Sequence, residues 1–347
     1  MMPEEWPIAA SVADQNAPAR PAGGDRLSTV RVDFFLDPAQ RLTEQERALM
    51  TAMLHCLVGD IADALRAALP PGAVAANDDD NRDLVRKLSG SRLLDEPGLV
   101  AMLLRRADEE RVATSATART GRHEARVLQG LVSHPSGPVS ASAMALILAR
   151  GRRRDRFGQC LVAFDDLSAE SAELLTQRIA AAMRAGLDGR PDAELASAMA
   201  SVLAQRDDAR GSDALIAELV ALLDRDGALT DELILAAAHE GEVAFLAHIL
   251  ARRAGIPAES AVGEMLSATS DRIISLLRAS GASRSLSAGL LASIGDLLGI
   301  EDPAGAIEIF DTMTAEQEAA ARSWLSTSPA YRAALAALGE GHGQRSV

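Results

Sequence analysis

From Ser168 onward the chain is cut into short stretches, each with one apolar stripe, often opened by Ser or Asp and often closed by Gly. The clearest are SAESAELLTQRIAAAMRAG, PDAELASAMASVLAQ, SDALIAELVALLDRDG, LTDELILAAAHEG, EVAFLAHILARRAGIP and PAESAVGEMLSA. The three- and four-residue spacing of the apolar positions predicts helices of about 10 to 18 residues. Ser, Thr and Asp side chains accept hydrogen bonds from free amides at a helix start, and Gly adopts the left-handed conformation that ends one. A helix with a single apolar stripe cannot bury it alone, so these helices must stack on their neighbours.

Composition agrees. Aromatics make up 3% of the residues, while Ala, Leu, Arg and Glu, all strong helix formers, recur throughout. No segment reads as β. The expected fold is all-α: an irregular HEAT-like α-solenoid of stacked helical hairpins with an N-terminal helical bundle. No single repeat period emerges, which leaves an irregular helical bundle as the alternative.

The chain divides into a disordered tail over 1–26, poor in bulky apolar residues and rich in Pro, Ala and Gly, an N-terminal helical region over 27–156, and a helical-repeat region over 157–340. A long helix opens at a Thr43/Glu46 capping box and runs to about Leu69, where Pro70, Pro71 and Gly72 stop it. Its apolar stripe is wider than one neighbour covers. Met50, Met53, Leu54, Leu57 and Ile61 are therefore candidates for self-association through a helical bundle. Shorter helices follow around Arg82–Leu88, Pro97–Thr114, Arg122–Val132 and Val139–Arg150.

Charge is unevenly distributed. The net charge of −14 resolves into about −7 over 1–80, about +7 over 81–156 and about −14 over 157–347. The basic third is densest at RGRRRDR, where Arg150, Arg152, Arg153, Arg154 and Arg156 form a candidate binding cluster. Guanidinium groups so close together suit phosphates or carboxylates. Nucleic-acid binding is disfavoured by the acidic balance and the scarcity of stacking aromatics.

Patterns for catalysis and metal binding are missing. No G-x-x-x-x-G-K-[ST] or G-x-G-x-x-G follows a strand. Asp78, Asp79 and Asp80 lack the Gly and Glu of a calcium loop. His239 and His248 fall on different helix faces, with no H-E-x-x-H. Cys56 and Cys160 offer neither a disulfide framework nor a C-x-x-C pair, and Cys160 reads as a buried small apolar residue. No catalytic residue, metal or cofactor is expected. The start of the chain lacks a secretory pattern, and no membrane-spanning segment of about 18 uncharged apolar residues is expected. These readings imply a cytoplasmic, non-catalytic scaffold or regulatory protein with a protein partner and a possible homodimer through the N-terminal helices. The alternatives are an enzyme or a sensor of a nucleotide or phosphorylated ligand at the Arg cluster and, after it, a nucleic-acid binder.

The stretch DELILAAAHEGEVAFLAHILARRAGIPAESAVGEMLSATSDRIISLLRASGAS resembles the bacterial family of unknown function DUF2336. The matching features are the acidic-Gly turn at Glu240–Gly241, Phe245 in the next helix, the turn Ala254–Pro257, and the Ser280–Ala282 turn. DFFLDPAQRLTEQERALM is similar to that group as well. The resemblance implies a helical HEAT-like fold in a bacterial cytoplasmic protein and carries over no catalytic residue. The segment after Ser267 is compressed, and the Gly281 turn has no following Pro, so irregular last repeats are expected.

Overall fold

The structure, a computed structural model, describes residues 42–70, 81–120, 126–184, 187 and 192–338. The expected tail over 1–26 and Asp78 to Asp80 lie outside them. The described residues from Gln45 onward belong to one compact unit.

The described residues fold into helices without a β-strand, as the periodicity predicts. In chain order these are α1 (Glu44–Ala68), α2 (Asn81–Gly90), α3 (Pro97–Thr120), α4 (Arg126–Val132), α5 (Gly137–Arg152), α6 (Ala169–Met183), α7 (Asp192–Ala204) and α8 (Ser212–Arg225). There follow α9 (Asp231–His239), α10 (Val243–Ala254), α11 (Ala258–Met265), α12 (Ser270–Ala279), α13 (Arg284–Leu290), α14 (Pro303–Thr312), α15 (Ala315–Leu325) and α16 (Pro329–Ala337). A single π turn, Leu291–Gly295, continues α13.

The punctuation works by the expected chemistry. Ser168, Thr230, Ser283 and Asp302 each accept an amide at the start of the helix that follows. Thr314 and Gln317 form a reciprocal capping box on α15. Gly227, Gly241, Gly255 and Gly281 all take positive φ in the turns between helices.

Two hydrophobic cores result. In the first, Met53, Leu57, Ile61 and Leu65 of α1 pack with α2, the first half of α3, α6 and α7. In the second, the later part of α3 joins α4, α5 and the helices from α8 to α15. Thus α6 and α7, which follow residue 157, share a core with the N-terminal helices. At the centre of the second core lies α10, buried on every side from Val243 to Ala251 and packed against α3, α8, α9, α11 and α12. Near the C-terminus the buried Glu264 carboxylate accepts from Arg272 at 2.7 and 3.0 Å and from Arg332 of α16 at 2.9 Å, tying the last described helix to the body.

Helix α1 is long and apolar enough to cross a membrane by length and composition alone, with a mean hydropathy of 1.4 over its best window. The sequence predicted no such segment, because Asp60 and Asp63 interrupt the apolar run. Its apolar stripe is spent on the first core.

Candidate functional site

Helix α3 passes from one core to the other. Leu99, Leu103 and Ala107 face the first, and Val112 and Ala116 the second. At the crossover the sequence places Arg105, Arg106, Glu109 and Glu110. Charges emerging between two apolar cores need partners, because an unpaired buried ion costs several kcal/mol. Arg105 donates to both oxygens of Asp213, at 2.9 and 2.7 Å, and to Glu109 at 2.8 Å. Arg106 donates to Glu109 at 2.7 Å and lies 3.3 Å from Asp213. Burial raises the Asp213 carboxyl, but the guanidinium groups of Arg106 and Arg105 outweigh it and hold the pKa at about 2.

The Arg cluster faces the same seam. Arg153 donates to both oxygens of Asp166, at 2.8 and 3.0 Å, and the Asp166 side chain is 1% exposed. The same carboxylate accepts the amides of Ala163 and Ser212 at 2.9 and 2.7 Å, capping a short 3-10 turn and the start of α8. Burial raises the pKa of Asp166, yet its bonds to Arg153 and the nearby Arg106 keep it below the usual carboxylate range. Arg154 makes a two-pronged pair with Glu110 at 2.9 and 3.0 Å. Arg150 meets Glu242 at 2.7 Å. Arg152 and Arg156 are exposed, with Arg156 stacked 4.7 Å from the Phe157 ring centroid.

Between these groups lies a cavity of about 440 Å³. It is lined by Arg106, Arg150, Arg153 and Arg154, by the carboxylates of Glu109, Glu110, Asp166, Glu240 and Glu242, and by Cys160. Each of the four arginines is in an ion pair with a carboxylate of the chain. Cys160 is half-buried, not the fully buried apolar residue expected, and its thiol is pushed up to about 11 by burial and by Glu110. That is the opposite of what a nucleophile needs. Nor is there a shared histidine site. His248 is buried, with Nδ1 2.7 Å from the Ala244 carbonyl and its pKa lowered by burial. His239 is exposed on another helix, against Leu235 and Ser293. Among the described residues no group of three His, Cys, Asp or Glu side chains could hold a metal ion.

Gly241 fixes how α10 meets α3. Its φ is 69°, and a Cβ there would come within 2.9 Å of Ala116 Cβ and 3.0 Å of Ala113 Cα and the Val112 carbonyl. Both the left-handed backbone and the close approach require glycine. Beside it, the Glu240 carboxylate accepts the Val127 amide at 3.1 and 3.0 Å.

The residues read as a self-association surface lie mostly inward. Met53, Leu57 and Ile61 are buried in the first core, and Met50 and Leu54 are half-buried against it. Large apolar side chains are exposed elsewhere: Val100 and Leu104 on α3, Tyr331 and Leu338 near the C-terminus, and Met144 and Leu148 on α5. The solvent side of this helix consists of Gly137, Pro138, Ala141, Met144, Ala145, Leu148 and Gly151, ending at Arg152. Met144 is 41% exposed and Leu148 55%. The 4-3-4-3 spacing of Gly137, Ala141, Met144, Leu148 and Gly151 is that of a helix-packing seam. It was readable in the sequence, but α5 has apolar residues on both sides, and spacing alone does not say which side the core takes.

Beyond α5 the chain forms a tight loop. Leu161 donates to Arg153 O at 2.8 Å and Asp155 to Gln159 O at 3.0 Å, while Asp155 Oδ1 accepts the amides of Phe157 and Gln159, each at 2.8 Å. An isolated antiparallel bridge joins Arg154 and Cys160. Phe157 sits at the tip, 74% exposed.

No curated protein and no solved structure matches the chain. A family model does, over residues 87–323, a span that starts inside α2 and takes in the whole seam, the Gly241 turn and α5. With well over half its length matched, the chain belongs to the bacterial family described as "Uncharacterised protein conserved in bacteria (DUF2336)".

Proposed function

We propose that this protein is a non-catalytic helical scaffold of the bacterial cytoplasm that binds another protein, its stacked helices acting in the manner of HEAT-like repeats. The observation that carries this reading is the outer face of α5, which holds no ionisable side chain from Gly137 to Gly151 and leaves Met144 and Leu148 in water. A continuous apolar stripe on a surface helix marks an interaction site, whereas isolated exposed leucines do not.

The test is affinity capture of the tagged protein from its native lysate beside a Met144→Asp/Leu148→Asp variant. A saturable partner lost in the variant supports the reading; a partner retained by the variant removes α5 from it. Charge reversal of Arg153 would be a poor alternative, since it would set a glutamate against the buried Asp166.

A second reading, a small-ligand sensor at the Arg cluster, draws on the cavity of about 440 Å³, a size typical of ligand sites. It ranks lower because the four arginines lining the cavity already pair with carboxylates, so an anion would have to displace them. Inorganic phosphate or ATP raising the melting temperature of the wild type but not of Arg154→Gln would favour it.

A further inference from the structure

We infer that the face of α5 receives an acidic amphipathic helix, with the carboxylates of that helix meeting Arg152 and Arg156. This rests on the reading of α5 as a docking face and adds the class and polarity of its occupant.

The 4-3-4-3 spacing suits a helix. A helical partner places its own apolar residues against such a seam every three or four positions, and small residues such as Ala141 and Gly151 admit a close approach. An extended strand or an irregular loop has no matching period. The exposed apolar row ends in charge of one sign. Arg152 closes the helix face, and Arg156 follows in the loop, stacked on Phe157. The acid between them, Asp155, turns its Oδ1 onto two backbone amides of the loop. Arg150, Arg153 and Arg154 are taken up by Glu242, Asp166 and Glu110. Sorting the run RGRRRDR in this way leaves two exposed cations without a carboxylate partner among the described residues, Arg152 at the end of the apolar stripe and Arg156 in the loop that follows.

The loop is held by main-chain and Asp155 bonds, with Gly158 at a φ of 81°. The net charge of −14 repels an acidic partner only at a distance. At physiological salt that field is screened beyond about 8 Å, and the local arginines decide. A second copy of the chain fits the face poorly. A parallel α5 pair sets Arg152 against Arg152, and an antiparallel pair points it at a helix N-terminus, where the backbone dipole is already positive.

The experiment uses the full chain and two fluorescent probe peptides of about three heptads. Both carry the same Leu/Ala seam, one with Glu and the other with Lys at every remaining position. Anisotropy titrations are run at low salt and at roughly 0.5 M salt, beside sedimentation equilibrium of the unlabelled protein. The expected result is saturable binding of the Glu peptide and none of the Lys peptide. Affinity should fall about tenfold in Arg152→Glu/Arg156→Glu and also at high salt, and binding should be lost in Met144→Asp/Leu148→Asp.

Equal binding of the two peptides, or an unchanged affinity in the arginine variant, would overturn the acidic partner while leaving α5 a docking face. Binding unaffected by the Met144/Leu148 variant would overturn the docking face itself. A dimer that dissociates in that variant would assign the face to a second copy and overturn the inference. All four substituted side chains are exposed, so a circular-dichroism melt matching the wild type separates lost binding from lost fold.

Discussion

The seam along α3 and the outer face of α5 depart from the usual inside-out order in opposite directions. One holds charges between two apolar cores, and the other leaves apolar side chains in water. In the seam every lining arginine is neutralised within the chain: Arg106, Arg150, Arg153 and Arg154 pair with Glu109, Glu242, Asp166 and Glu110. On α5 nothing in the described residues meets the uncovered stripe. The difference separates what the fold needs from what it offers. The most buried of these pairs, Arg153–Asp166, holds the end of α5 to the start of α8 and is costly to break, whereas an uncovered stripe contributes little to stability.

The largest effect should come from the seam. Asp166→Ala leaves the Arg153 guanidinium and the amides of Ala163 and Ser212 without their shared acceptor, and should cost about 3–5 kcal/mol in urea unfolding. A loss under about 1 kcal/mol would mean that water replaces the carboxylate, and the contrast with α5 would collapse.

Next is Gly241→Ala. A left-handed alanine costs about 1–2 kcal/mol, and the new Cβ presses on the backbone of α3, adding about 1 kcal/mol or more. A melting temperature equal to that of the wild type would show that α10 is free to shift away from α3.

A smaller effect, of opposite sign, is expected at Asp108. Burial pushes its carboxyl up to about 6, with Arg111 opposing and Glu46 adding to the rise. The unfolded value lies near 3.9, so the folded chain holds the extra proton between the two. The stability this gives is full below about pH 4 and is lost as pH rises through 6. Asp108→Asn should thus be more stable than the wild type at pH 7.5, by on the order of 1 kcal/mol, with the gain shrinking toward pH 4. A gain independent of pH would assign the effect to packing instead.

The smallest change should be on α5, where Met144→Asp/Leu148→Asp shifts stability by no more than about 0.5 kcal/mol per site while abolishing the proposed partner binding. A clearly lower melting temperature would place those side chains in a core and remove the comparison altogether.

Much of the secondary structure was legible from local signals. The Gly227, Gly241 and Gly255 turns fall where the sequence places them, and α5 spans Gly137–Arg152 against an expected Val139–Arg150. The end of α3 was not. It runs to Thr120 instead of Thr114, because Val112 and Ala116 gain the second core, and burial overrides the weak helix propensity of Thr114, Ser115 and Thr117.

The site divides in the same way. RGRRRDR stands out as the basic point of the chain, but its five arginines have separate fates. The partners lie 13 residues away for Arg153, 44 for Arg154 and 92 for Arg150. No local pattern announces those pairings.

What the sequence determined by itself was most of the helices as far as Met265, their turns and the surplus of positive charge in the middle third. Propensity, capping and the left-handed freedom of glycine act over a few residues and can be read there. The tertiary structure decided which stripe of each helix is inside, turning α1 inward at Met53, Leu57 and Ile61 and leaving α5 open at Met144 and Leu148. The hydrophobic effect drives burial without direction, so a stripe specifies that it prefers cover, and only the packing of distant helices settles which one is covered.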